Sequence, residues 1–135
     1  MANMTANLGE KLLNHIFNNT SWASPTTVYL ALYTSACTDD DSGNEVTGSG
    51  YARQPISLKS ITYAYGKVQG VNNGDIEFPV AGEDWGEVTH VAIWSHLTSV
   101  DLNYYLFWGQ LTVPIDVKSG YILRLVDGEA SVSMD

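Results

Sequence analysis

Between Asp84 and Leu111 the chain reads DWGEVTHVAIWSHLTSVDLNYYLFWGQL, the stretch that most narrows what the rest can fold into. It carries Trp85, Trp94 and Trp108, three of the four tryptophans, together with Tyr104, Tyr105 and Phe107. Strand alternation puts Val88, His90, Ala92 and Trp94 on one face of the first arm and Thr89, Val91 and Ile93 on the other. In the second arm Tyr104, Leu106 and Trp108 alternate with Tyr105, Phe107 and Leu111. Large apolar groups on both faces predict two central strands covered on both sides, because a sheet with one wet face would alternate apolar and polar residues. Aromatic cross-strand pairs contribute roughly 0.2–1 kcal/mol each relative to alanine, so this pair is the expected core.

Short strand patterns surround it: TTVYLALYTS from Thr26, YARQPISL from Tyr51, DIEFPV from Asp75, LTVPIDV from Leu111, YILRLV from Tyr121 and EASVSM from Glu129. SITYAYGKVQGV, from Ser60 to Val71, reads as a short hairpin or an irregular strand. Turn signals at Asn72-Asn73-Gly74, Lys118-Ser119-Gly120 and Asp127-Gly128 separate the strands. The expected fold is all-β, a β-sandwich or jelly roll of about eight short strands. One amphipathic helix is expected over residues 5–19, with Leu8, Leu12, Leu13, Ile16 and Phe17 on its apolar stripe. Asn7 with Glu10 resembles a capping box, and Asn18-Asn19 a stop. About three turns of helix are marginal alone, so the stripe must dock on the chain's own sheet or on a neighbouring subunit. The own sheet is the expectation, since that is the commoner fate of such a helix. The whole of residues 1–135 fits one domain, long enough to bury roughly two-thirds of its unfolded surface.

Charge excludes some partners. With 15 acidic and 6 basic residues the net charge is −9, and no Lys/Arg cluster offers counterion release, so nucleic-acid binding is not expected. No apolar run approaches the ~18 residues of a membrane helix, and the N-terminal residues lack a basic region followed by an apolar core, so neither a membrane partner nor Sec-type secretion is expected. The single cysteine, Cys37, rules out an internal disulfide framework and reads as a small semi-apolar filler in a reducing cytoplasm.

No arrangement of residues predicts catalysis or a cofactor. The acidic loop Asp39-Asp40-Asp41-Ser42-Gly43-Asn44-Glu45 lacks the glycine placement and flanking helices of an EF-hand, and reads as a solvated loop rather than a calcium site. His15, His90 and His96 are scattered without metal-ligand spacing, and His90 reads as a core or interface histidine. Glu83, Asp84 and Glu87 imitate a glycosidase pair but flank a loop, so no enzyme activity is expected. Trp22, Trp85 and Tyr51 lie beside loops where a ring could stack on a sugar. The preferred reading is that they fill the core or a subunit interface, where such rings are enriched.

The order EKLLNHIF, TTVYLALYTS, NEVTGSGYARQPI, IEFPVA, WGEVTHVAIW and LFWGQLTVPIDVKSG resembles a family of small bacteriophage virion proteins. GYARQ and the WGEVTHVAIW string are its specific parts; residues 59–71 and SHLTSVDLN depart from the pattern. Members are loosely labelled tail-fibre or head decoration proteins, so the resemblance implies a structural role in the virion and no catalytic residues. A lone globular domain without a shaft points to the head. The expected function is therefore a capsid cement protein, assembled in the host cytoplasm and bound on the capsid surface to the major capsid protein, and to itself as a homodimer or homotrimer. A tail-fibre or minor tail component, receptor-binding or not, is the alternative. The expected contact surfaces are the segment from Ala2 to Phe17 and the loops at 36–50 and 82–87, through Leu8, Leu12, Ile16, Trp22, Asp39, Asp40, Asp41, Tyr51 and Trp85.

Overall fold

The tryptophan-rich stretch forms the two longest strands of the protein, in a computed structural model that describes residues 2–134. In chain order the elements are β1 (Ala2–Met4), α1 (Ala6–Phe17), β2 (Val28–Tyr33), β3 (Gln54–Ile56), β4 (Thr62–Ala64), β5 (Lys67–Val71), β6 (Ile76–Glu77), β7 (Gly86–Trp94), β8 (Tyr105–Val117), β9 (Arg124–Leu125) and β10 (Ser131–Met134). A five-stranded sheet has the order β1-β8-β7-β2-β3; a second sheet has the order β10-β5-β4, and β6 pairs with β9. All pairings are antiparallel. The fold is all-β, a sandwich with one short N-terminal helix, as the alternation predicts. Among the described residues it has ten strands rather than about eight: β1 comes from a segment expected to be a contact surface, and β4 and β5 form a true hairpin.

The central pair is packed on both faces along the first part of β8, whereas Val113 and Ile115 farther along that strand are exposed. On one face, Leu30, Leu32 and Ile93 pack with Ile76, Phe78, Leu123 and Trp85 into the larger core. On the other, Ala31, Tyr33, Cys37, Ala92, Trp94 and Tyr105 form a smaller core. Two assignments of face differ from simple alternation. Val88 joins the larger core, away from Ala92 and Trp94, because the ladder breaks between Val88↔Ile115 and His90↔Gln110. Tyr105 faces Trp94 and shares the smaller core with Trp108, because a bulge places two residues of β8 opposite one step from Ile93 to Trp94. β8 also runs unbroken through Leu111, where two separate strands were expected.

Asn72 is a second departure. The turn signal Asn72-Asn73-Gly74 suggests solvated residues, yet Asn72 is fully buried. Its Nδ2 donates to the carbonyls of Gly74 (2.8 Å) and Val126 (3.1 Å), and its Oδ1 accepts from the Ala130 N–H (2.9 Å). One amide side chain thus ties the end of β5 to the β9–β10 connection.

The helix starts one residue later than expected and is capped by Thr5, not by an Asn7–Glu10 box. Thr5 Oγ1 accepts from the Leu8 N–H (3.2 Å) and donates to the Tyr105 carbonyl (2.7 Å), anchoring the helix start to β8. Asn18 closes the helix and Asn19 takes a left-handed backbone (φ 54°), the stop that the Asn pair predicts. Replacing the buried Thr5 by valine removes the cap at nearly constant shape. We expect a loss of about 1–3 kcal/mol, read as a lower urea midpoint at unchanged slope.

Candidate functional site

Three surface features stand out: a cleft, a helix face and a hairpin. The cleft, of about 980 Å³, lies between residues 42–48, 83–85 and 97–100. Its floor is an ion pair. Arg53 Nε and NH2 donate to the two Glu45 carboxylate oxygens, both at 2.8 Å, while NH1 donates to the carbonyls of His96 and Ser99, both at 2.9 Å. The guanidinium carbon sits 4.4 Å from the Trp94 ring centroid. Burial works against the charge on Arg53 and is outweighed by Glu45, so its pKa lies above the ordinary guanidinium value. Tyr51 donates from its hydroxyl to Glu45 (2.6 Å) and accepts from the Leu32 N–H (3.1 Å). Glu45 also bridges to Tyr33 through the backbone. One charged pair therefore joins β2, the 36–50 loop, β3 and the β7–β8 connection.

The long 36–50 loop folds back on β2 through Thr34 N–H to Asn44 O (2.9 Å) and Val46 N–H to Leu32 O (3.0 Å). Gly43 permits this return: a Cβ there would lie 2.5 Å from the Ser35 carbonyl oxygen. The loop also locks to the 82–87 loop. Ser49 N–H donates to Glu83 (3.0 Å), and the Ser49 carbonyl accepts from Gly82 N–H (2.8 Å) and Trp85 Nε1 (3.0 Å). Asp84 accepts from Ser119 N–H (2.8 Å). Glu83, Asp84 and Glu45 thus hold backbone and arginine in place. Among the described residues no buried side-chain polar atom lacks a partner.

The residues singled out from the sequence divide accordingly. Trp85 is buried in the larger core, and Tyr51 packs edge-on against it at 5.5 Å and parallel to Phe78 at 6.2 Å. Both rings join the two loops, Trp85 from within the core and Tyr51 from its partly buried edge at the cleft. Asp39, Asp40 and Asp41 are exposed but locally engaged: Asp39 accepts from Trp108 Nε1 (2.7 Å), Asp40 from Thr38 Oγ1 (3.0 Å), and the Asp41 carbonyl from Thr38 N–H (2.8 Å). Asp39 O also accepts from Ala6 N–H (2.8 Å), which brings this loop to the helix start. Cys37 is buried, and burial pushes its thiol above its ordinary pKa, as befits a filler.

Along the helix only Leu8 is buried, and Leu12 and Trp22 are half-buried. Leu13, Ile16 and Phe17 are 58, 65 and 76 % exposed. The expectation that the stripe covers the chain's own sheet is therefore overturned for its second half. The helix is fixed at its first turns, by Asn7 Nδ2 to Asn103 O (3.1 Å) and Lys11 Nζ to Asn103 O (2.6 Å), and its later residues are exposed. Ala2–Met4 is a strand at the end of the five-stranded sheet, paired with β8.

The short hairpin expected within residues 60–71 is present as β4–β5, but the sequence reading gave it no surface role, and Tyr63 and Tyr65 on it are 75 and 97 % exposed. The available signal was the Tyr65-Gly66 step between two alternating runs, which fits a two-residue turn.

A protein-family model described as Podophage GP4 fiber I protein gp80 matches residues 3–133, nearly the whole chain. No curated protein matches it.

Proposed function

The chain belongs to the podophage GP4 fiber I protein gp80 family of phage virion structural proteins, and from that premise we propose that it is a part of the tail fibre. The observation that carries the reading is the family description across residues 3–133. That description fits a fibre part better than a capsid cement protein bound to the major capsid protein. A fibre part assembled from several chains needs no shaft of its own. Immunogold labelling of purified virions tests the proposal: gold on tail appendages is expected, and gold distributed over the heads would return the cement reading.

We further propose that copies of the chain meet through α1. Contiguous exposed apolar groups mark interaction surfaces, and Leu13, Ile16 and Phe17 supply such a patch. Electrostatics permits a second copy here. The chain as a whole carries −9, which opposes self-association, but residues 5–22 hold one acid, Glu10, and one base, Lys11. Replacing Ile16 and Phe17 together by aspartate should convert an oligomer to a monomer in sedimentation velocity without changing the circular dichroism of the β-sheets. A wild-type chain that sediments as a monomer at high concentration would contradict this.

A further inference from the structure

The β4–β5 hairpin ends in a two-residue turn, Tyr65-Gly66, closed by the pair Ala64↔Lys67. Both turn residues have positive φ, 52° and 82°. Such a turn ordinarily takes Asn-Gly, Asp-Gly or Gly-Gly, and an L side chain in the left-handed region costs roughly 1–2 kcal/mol. Asparagine tolerates that region; tyrosine gains nothing there from packing, since its ring is almost wholly in water. Strain held without any intrachain return is a pointer to function. Beside it, Ile61 and Tyr63 are exposed as well, and β4 has a neighbouring strand on one side only.

The electrostatic setting is the second observation. In a chain with 15 acidic residues, none lies between Glu45 and Asp75. That acid-free run contains Arg53, Lys59 and Lys67. Arg53 is committed to Glu45 and Lys59 is held by Asp127 (3.0 Å), whereas Lys67 forms no ion pair among the described residues. β4 and β5 themselves hold no acid, so an anion can approach Lys67 along the hairpin.

We propose that the hairpin is a saccharide-binding finger, in which Tyr65 and Tyr63 stack on sugar rings and Lys67 faces the negative charge of an anionic cell-surface polysaccharide. The C–H face of a pyranose meets the electron-rich face of a tyrosine ring, and tyrosine is a low-entropy contact group. A saccharide fits better than a protein partner, because a two-residue tip falls far short of the roughly 1,200–2,000 Å² that a stable protein interface buries. Weak single contacts would be multiplied by the copies in a fibre. That the polysaccharide lies on a host cell rests on the fibre reading; the binding chemistry does not.

The test is a glycan array of bacterial oligosaccharides, with uronate-, sialate- and phosphate-bearing members beside neutral ones, probed with the full chain. Wild type should bind anionic members, less well as salt rises. Tyr65→Asn should weaken that binding at least about tenfold while raising the thermal midpoint, since asparagine suits the turn. This opposite movement separates a lost contact from a damaged fold. No binding to any anionic member, or unchanged binding by Tyr65→Asn, would overturn the proposal. So would adsorption to host envelopes that survives periodate but not protease treatment, which would assign the hairpin to a protein receptor. Gold labelling of heads would overturn the fibre reading and leave the array result standing.

Discussion

Replacing Arg53 by alanine is expected to destabilise the protein by about 3–5 kcal/mol, the cost typical of breaking a buried ion pair from one side. Arg53 is buried, and Glu45 is nearly so, its side chain 19 % exposed. Three losses coincide. The Glu45 carboxylate keeps only the Tyr51 hydroxyl, the His96 and Ser99 carbonyls lose a shared donor, and the Trp94 ring loses the cation over its face. The double variant Arg53→Met/Glu45→Leu sharpens the prediction. Exchanging a buried pair for apolar groups is often neutral or stabilising, so if the pair alone mattered stability would return. It should recover only in part, because the two carbonyls of the β7–β8 connection remain without their donor. Urea midpoints of the wild type and the two variants decide between these outcomes. Full recovery would show that Arg53 serves Glu45 alone.

The second large effect is with pH. Tyr33, Tyr51 and Tyr105 all have phenol pKa values raised from the ordinary 10.0, in each case first by burial. The Glu45 charge adds to this for Tyr33 and Tyr51, and Cys37 for Tyr105. Each hydroxyl is also tied down: Tyr33 accepts from Trp94 Nε1 (2.7 Å), Tyr51 donates to Glu45 (2.6 Å), and Tyr105 donates to the Thr38 carbonyl (2.8 Å). The sign follows from proton counting. Above the unfolded phenol value the unfolded chain has released protons that the folded chain keeps, so the folded state is penalised as pH rises. Stability is fully present below about pH 10 and falls above it, by up to about 1.4 kcal/mol per pH unit for each phenol and about 4 for the three together. Urea midpoints taken from neutral pH to well above 10 should be level and then drop steeply. Tyr105→Phe should make that drop shallower, at the cost of the hydrogen bond to Thr38. A midpoint that stays level through the alkaline range would mean that the three phenols ionise as freely folded as unfolded.

How far the sequence told the structure depends on which force was in play. Hydrophobic patterning over Asp84–Leu111 was legible, because a strand buried on both faces leaves a run of large side chains that nothing else explains. The faces of Val88 and Tyr105 were not, since a bulge shifts the phase without altering the composition. Trp85 and Tyr51 were read as filling the core or a subunit interface, and which of the two was not legible, because the long-range bonds to Ser49 and Glu45 that draw them inward have no local pattern. Asn72 failed for the same reason: an asparagine before Asn-Gly looks like a turn until Val126 and Ala130 arrive from the other end of the chain. The helix stripe was legible as a stripe, but periodicity says only that an apolar face exists and not what covers it. At the surface the useful sign was the Tyr-Gly step at 65–66, where the residue present is not the one its backbone conformation favours.

The central claim, that this virion protein is a part of the tail fibre, is tested most directly by counting it. Quantitative mass spectrometry of purified particles, with the major capsid protein as the internal reference, gives copies per virion. The fibre reading predicts a small fraction of the major capsid protein's copy number, set by the symmetry of the tail. A copy number comparable to that of the shell protein would contradict it and place the chain on the head.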